Sequence, residues 1–237
     1  MGKLFKFGLE SDVERDSWIK KTLSAIPAGS RILDAGAGER RFEKYCKHLK
    51  YISQDFGEYN GIGDRTGLQV GSWNQSGLDI VSDITNIPEP NESFDAILCS
   101  EVFEHIKNPI EAIKELSRLL KKGGVLILTA PFTSGTHFAP YHFFVGFSKY
   151  FYKAHLETNN FEILEIVEWG SYFEFLATET RRTPFMVKKY SKKFFLPIVY
   201  FAAIIFLVAL HLVNSFDSHS GEFMCYGHFV VAKKKLI

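Results

Sequence analysis

The chain has 237 residues, 46% of them hydrophobic, which is enough for one large α/β domain with decoration and argues against two independent domains. Its 28 Lys and Arg against 27 Asp and Glu leave a net charge of +1, so no global field steers it toward nucleic acid or acidic substrates. Cys46, Cys99 and Cys225 are few, odd in number and without metal-ligand spacing; they argue against a disulfide framework and for a reducing compartment, with Cys99 expected in the core. The N-terminal M-G-K-L-F-K-F-G-L-E is too short in its apolar run for a secretory signal, so a cytoplasmic location is the default expectation.

In chain order, Ser11-Asp12-Val13-Glu14 is a capping-box pattern that opens a helix, with Val13, Trp18, Ile19, Leu23 and Ile26 available for one face and Pro27-Ala28-Gly29 closing it. Strands are expected at 31–34, 50–54, 79–82, 95–100 and 124–130, with helical or loop connections between them. That alternation predicts a parallel sheet covered by helices on both faces. Residues 57–78 hold six glycines and little periodicity, and read as a long loop. The best-marked helix takes Asn108 as its cap and Pro109 as its first residue, turns Ile110, Ile113, Leu116, Leu119 and Leu120 inward, and stops at Lys121-Lys122-Gly123-Gly124. From Pro131 to Phe151 the chain is strongly aromatic. A helix near 148–158, a strand at 161–168 and a β-rich final stretch at 224–232 complete the pattern.

The most informative segment is R-I-L-D-A-G-A-G-E-R-R at 31–41, an apolar strand running into an acid and two closely spaced glycines, with Asp55 at the end of the next strand. Gly36 and Gly38 stand where the backbone must turn sharply and lie against a ligand without a Cβ in the way. Asp55 is placed to accept hydrogen bonds from ribose hydroxyls. A dinucleotide is a poor match, because Asp34 and Glu39 would repel its pyrophosphate. Asp34 suits a ligand that carries an ammonium group.

These residues resemble class I S-adenosylmethionine-dependent methyltransferases. The resemblance is carried by L-D-A-G-A-G at 33–38, Asp55, S-D-I at 82–84, F-D-A-I-L-C-S-E-V-F-E-H at 94–105 and L-K-K-G-G-V-L-I-L-T-A-P at 120–131. It covers residues 11–170 and is closest to the ubiquinone-biosynthesis type and to enzymes of surface-polysaccharide pathways. Arg40 stands where that motif often has a third glycine. The resemblance implies a Rossmann-like, seven-stranded, mostly parallel α/β sheet with an antiparallel last strand. It also implies that Asp34, Gly36 and Gly38 hold the methionine part of S-adenosylmethionine, Asp55 the ribose, and Asp83 with Ile84 the adenine, with Ser100 at the mouth of the crevice. Asp83 has a second reading as a plain turn residue.

Methyl transfer from a sulfonium is an in-line displacement, so the chain has to align the acceptor and remove its proton. His137 and His142 flank Pro140-Tyr141 where an acceptor would bind, and a histidine suits a general base toward a hydroxyl; His137 is the first candidate and Glu101 the third. If 100–105 turns helical, Glu101, Glu104 and His105 share a face, and E-V-x-E-H is similar to a metal-binding motif in some relatives. No metal is the favoured reading, with a divalent cation on those three residues and His137 as the alternative. Phe132, Phe138, Tyr141 and Phe143 are candidates for the acceptor wall, or for core.

Phe194 to Val213 is long and apolar enough to cross a bilayer, and six cations without an acid precede it between Arg181 and Lys193. If 224–232 completes the sheet, a single crossing would leave that strand on the wrong side. The expectation is therefore a core at 1–171, a helical basic and apolar insertion at 172–216, and a return strand within 217–237. The preferred expectation is that the insertion lies in an anionic membrane surface at the inner face, or dips into it and returns; the alternatives are the partner helix of a homodimer, the core itself, or a true span. The function expected is methyl transfer to a small-molecule, glycan or lipid-linked acceptor, most readily at oxygen. An RNA methyltransferase and a non-catalytic membrane- or partner-binding scaffold are the rivals, and nucleic acid is disfavoured by the charge.

Overall fold

A computed structural model describes residues 6–236. Its sheet has seven strands, β1 (Arg31–Ala35), β2 (Lys50–Asp55), β3 (Ile80–Val81), β4 (Phe94–Ser100), β5 (Leu120–Pro131), β6 (Phe161–Trp169) and β7 (Gly227–Lys234), in the order β3-β2-β1-β4-β5-β7-β6. The first five pair in parallel, with Leu33 opposite Ile52 and Ile97, and Ile97 opposite Leu126. β7 runs antiparallel to β5, with Ile127 opposite Val231. The order reverses between β1 and β4, which opens a crevice at their carboxyl ends.

Alternation along the strands sorts their side chains into two cores. Leu33, Ile97, Cys99, Leu126, Leu128 and Val230 point to one face, where α2 (Pro109–Leu119) and α3 (Lys149–Thr158) contribute Ile113, Leu116, Leu119, Tyr152 and Leu156. Ile32, Ala96, Leu98 and Ile127 point to the other, against Ile19, Leu23 and Ile26 at the end of α1 (Ser11–Ser24) and Phe42. Two expected core residues face solvent instead: Val13 is 68% exposed and Ile110 is 38% exposed. Val13 lies six residues from Ile19, which is not a multiple that returns a helix to the same side, and Ile110 is one turn too early for the Ala112–Ile113–Leu116–Leu119 stripe. Asn108 is at the N-cap of α2 but its side chain caps nothing, and the helix passes directly into β5 at Leu120. The last strand starts at Gly227 rather than at residue 224. A Cβ there would stand 2.4 Å from the Ala130 carbonyl, so glycine allows the two strands to close.

The chain divides into two compact units, one of residues 17–167 with 227–237, the other of 168–226 with the N-terminal residues to 16. The second is built on two helices, α4 (Tyr172–Tyr190) and α5 (Leu196–Asn214). Ser171 caps α4, taking the Glu174 N–H on its hydroxyl while the Glu174 carboxylate accepts from the Ser171 N–H. The Ser171 hydroxyl also donates to Asn214 Oδ1 at 2.6 Å, which ties the start of α4 to the end of α5.

Candidate active site

Directly after β1 the chain turns through Gly36 (φ +78°) and Gly38 (φ +51°), both in the left-handed region. A Cβ on Gly36 would lie 2.4 Å from Val102, and one on Gly38 would lie 2.6 Å from the Trp73 ring. Arg40 takes a left-handed φ of +57° as well, so it adopts the backbone of the glycine it replaces. Its guanidinium donates to the Gly77 and Ser76 carbonyls at 3.0 and 3.1 Å, which offsets the strain by fastening the glycine loop to the end of the 57–78 loop.

Asp34 and Asp55 are both buried beside this loop. Burial pushes the Asp34 carboxyl up to about 7, against a 2.6 Å hydrogen bond donated by the Tyr51 hydroxyl that favours the anion. Asp55 accepts from the Gly38 N–H at 2.9 Å, the Gly57 N–H at 3.1 Å and the Gln75 amide at 2.7 Å. Neither acid has a Lys or Arg partner among the described residues. These acceptors thus fit a ligand that brings its own positive charge and hydroxyl groups. Asp83 is exposed and its Oδ1 accepts from both the N–H and the hydroxyl of Thr85, the geometry of a turn residue; Ile84 beside it is buried.

The 57–78 loop has neither helix nor strand, and three of its glycines, Gly61, Gly63 and Gly67, stand in close contact with other backbone. A Cβ on Gly63 would stand 1.9 Å from the Ala139 carbonyl, and one on Gly67 would stand 2.1 Å from that of Thr136. Leu68 bonds on both sides, its N–H to Thr136 O and its carbonyl from Phe138 N–H. This brings Tyr59, Trp73 and Phe138 into one aromatic cluster, with Tyr59 and Phe138 stacked at 4.6 Å. Trp73, Tyr59 and Gln75 were not candidates in the sequence, where the only signal for them was the glycine-rich loop that carries them.

After β4 the backbone turns at Glu101 (φ +55°) and makes only a three-residue 3₁₀ turn, Phe103–His105. The expected helical face therefore does not form. Glu101 Oε1 accepts from the Thr129 hydroxyl, which also bonds Ser100 Oγ, while Glu104 and His105 meet His137 from the aromatic segment. Glu104 is 1% exposed; its Oε1 stands 3.7 Å from His105 Nε2 and 3.8 Å from His137 Nε2, and its Oε2 has no hydrogen-bond partner. The Tyr141 carbonyl lies 2.6 Å from His105 Nδ1, and the Gly135 carbonyl 2.9 Å from His137 Nδ1. A carbonyl only accepts, so each Nδ1 carries a proton and each ring directs its Nε2 toward Glu104. Among the described residues, the group able to hold a metal is Glu104, His105 and His137, without Glu101. His142 is adjacent, its ring 4.8 Å from that of His137 and its Nε2 3.2 Å from the Ser134 hydroxyl.

Charge and burial separate the three imidazoles. Burial draws His137 down, but Glu104 and the Gly135 carbonyl more than offset it and leave it above the ordinary histidine value. Burial holds His105 and His142 below that value. Burial would raise Glu104, yet the His137 and His105 rings more than offset this and hold it low. Of the expected aromatic wall, Phe138 stacks on His105 at 5.2 Å and Tyr141 packs edge-on to Phe56 and donates to Glu58. Phe132 packs instead against His228, and Phe143 is exposed over Lys107.

A strand order with β7 inserted antiparallel between β5 and β6, and a glycine turn with buried acids beyond β1 and β2, define an S-adenosylmethionine-dependent methyltransferase of class I. Residues 12–174 match a family model described as a methyltransferase domain, and the chain belongs to that family. It is 31% identical over 105 residues to the ubiquinone biosynthesis O-methyltransferase of Xanthomonas oryzae pv. oryzae, an alignment covering 43% of each chain. It is 29% identical over 119 residues to the tRNA (carboxymethyluridine(34)-5-O)-methyltransferase of Schizosaccharomyces pombe, covering 48% of each. The chain thus spans about half the length of the curated relatives it matches, or less. The fold is shared with the phosphoethanolamine N-methyltransferase 2 of Haemonchus contortus in complex with S-adenosyl-L-methionine, at a TM-score of 0.51 and 16% identity over 94% of this chain and 52% of that one.

Proposed function

We propose that the chain methylates a hydroxyl oxygen of a small-molecule, glycan or lipid-linked acceptor, with His137 as general base. The observation that carries this is the His137–Glu104 pair: a buried carboxylate with a low pKa beside an imidazole whose Nδ1 proton is held by a carbonyl. His137 Nε2 is left to take the acceptor's proton, and Glu104 stabilises the imidazolium that results. S-adenosylmethionine supplies an electrophilic methyl group. Gly36, Gly38 and Asp34 would line its amino acid part, Asp55 its ribose, and Asp83, Ile84 and Ser100 the remainder. Asp34 would ionise as it meets the ammonium. Phe138 and Tyr141 would shape the acceptor side, with His142 and Glu101 bordering it.

RNA, the substrate in the name of the fission-yeast relative, is a weaker acceptor reading. The net charge of +1 gives no field to hold a phosphate backbone, and the acid-free basic run at 181–193 adjoins the apolar helix α5. Cys46, Cys99 and Cys225 are all buried, which agrees with a reducing, cytoplasmic setting.

Calorimetric titration with S-adenosylmethionine should show binding that is lost in Asp34→Ala and Gly36→Val; absence of binding to the parent overturns the assignment. With the acceptor in hand, His137→Gln should lower kcat by roughly 10²–10⁴-fold without changing cofactor affinity. A second reading rests on the orphaned Glu104 Oε2 and the two convergent Nε2 atoms, which would hold a divalent cation able to acidify the acceptor hydroxyl. Titration of the chelated protein with Mg²⁺, Mn²⁺ or Zn²⁺, compared with Glu104→Gln, separates the two readings.

A further inference from the structure

The apolar helix α5 is not a core helix. Of its 19 residues only Leu207 and Leu210 are buried, and no Asp, Glu, Lys or Arg occurs from Phe194 to Phe216. Ile198, Phe201, Ile204 and Leu212 are each 60–66% exposed. At about 100° per residue, the exposed apolar positions from Ile198 to Val213 sweep an arc of roughly 240°, leaving only the side that carries Leu207 and Leu210 for α4. One packed helix covers a far narrower seam. At the turn between α4 and α5, Lys188, Lys189, Lys192 and Lys193 are all exposed, and Phe194 and Phe195 follow them immediately.

We propose that this helical hairpin docks on an anionic lipid bilayer, with α5 lying flat in the headgroup and acyl boundary and the four lysines on the headgroups. The charge at the turn selects the lipid surface over a second copy of the chain, which would bring the same lysines and cover only part of the arc. The same lysines set the orientation. Insertion of the hairpin turn first would carry four ammonium groups through hydrocarbon, with Arg181 and Arg182 about 12 Å behind the end of α4. A single crossing is excluded by connectivity, since the chain leaves the sheet at the end of β6 and rejoins it at β7, beside β5. A flat α5 satisfies both constraints.

The test is sedimentation of the full chain with vesicles of phosphatidylcholine alone or with added phosphatidylglycerol. Binding should require the anionic lipid, weaken with salt, and fall roughly fivefold for each lysine removed in Lys192→Gln and Lys193→Gln. Phe201→Ser with Ile205→Ser should lower binding to the anionic vesicles at low and high salt alike. Because both positions are exposed, the folded state is checked by S-adenosylmethionine titration, whose outcome is independent of docking. Nitroxides at Ile198→Cys, Phe201→Cys and Ile205→Cys should report one common depth, with Lys192→Cys nearer the water. Depth that increases toward residue 194 overturns the flat orientation. Absence of anionic-lipid binding, or a lipid-free dimer dispersed by Phe201→Ser, overturns the bilayer as the occupant.

Discussion

Gly36→Ala tests the turn on which the cofactor site depends, and its cost divides into two parts. Gly36 has φ +78°, so any side chain there pays about 1–2 kcal/mol for left-handed backbone. The added Cβ would also stand 2.4 and 2.6 Å from the two Val102 methyls. Val102 is β-branched with few rotamers to escape into, which adds about 1–3 kcal/mol of overpacking. The total is about 2–5 kcal/mol. Val102→Ala removes both obstructing methyls and leaves only its Cβ at 3.1 Å, so Gly36→Ala in that background should cost little beyond the backbone part of about 1–2 kcal/mol. Urea unfolding of the parent, both single variants and the double variant, compared at equal m-values, measures the coupling. An equal cost of Gly36→Ala in both backgrounds refutes the assignment of Val102 as the obstacle.

Asp34→Asn should change how stability depends on pH. The folded carboxyl is raised to about 7 from 3.8, so its stabilising contribution is complete below pH 3.8 and is lost as pH rises through 7. Between pH 5 and pH 8 that loss is on the order of 3 kcal/mol, and asparagine should abolish it; urea midpoints at those two pH values give the comparison, and an equal change in parent and variant would refute it. At Arg40 both Ala and Gly lose the bonds to Ser76 and Gly77, but glycine relieves the φ of +57°. Arg40→Gly should therefore be more stable than Arg40→Ala by about 1 kcal/mol in thermal or urea unfolding.

The strands and the cofactor turn were legible because their determinants are local. Alternating or continuous apolar runs specify strands, and L-D-A-G-A-G carries both the end of β1 and the glycines that its turn needs. Val13 and Ile110 were misplaced because an apolar residue within a helix reveals its face only when the packed stripe is known. The sequence offers His137 both as a candidate base and as a possible fourth ligand beside Glu101, Glu104 and His105, and leaves open which of those it meets. Glu101, Glu104 and His105 suggested a helical face, and the left-handed turn at Glu101 sends that carboxylate to Thr129 instead.

What the chain determined by itself is the class of fold, the donor it uses and the presence of an apolar helix, since these follow from residue period, glycine backbone freedom and uninterrupted hydrophobicity. Only the tertiary structure decided that Glu104, His105 and His137 converge, that Trp73 rests on Gly38, and that α5 leaves most of its circumference open. Each joins segments far apart in sequence: the convergence and the Trp73 contact depend on glycine backbones meeting carbonyls of another loop, and the exposure of α5 depends on α4 covering a single side. Such contacts leave no periodic trace in the residues that make them.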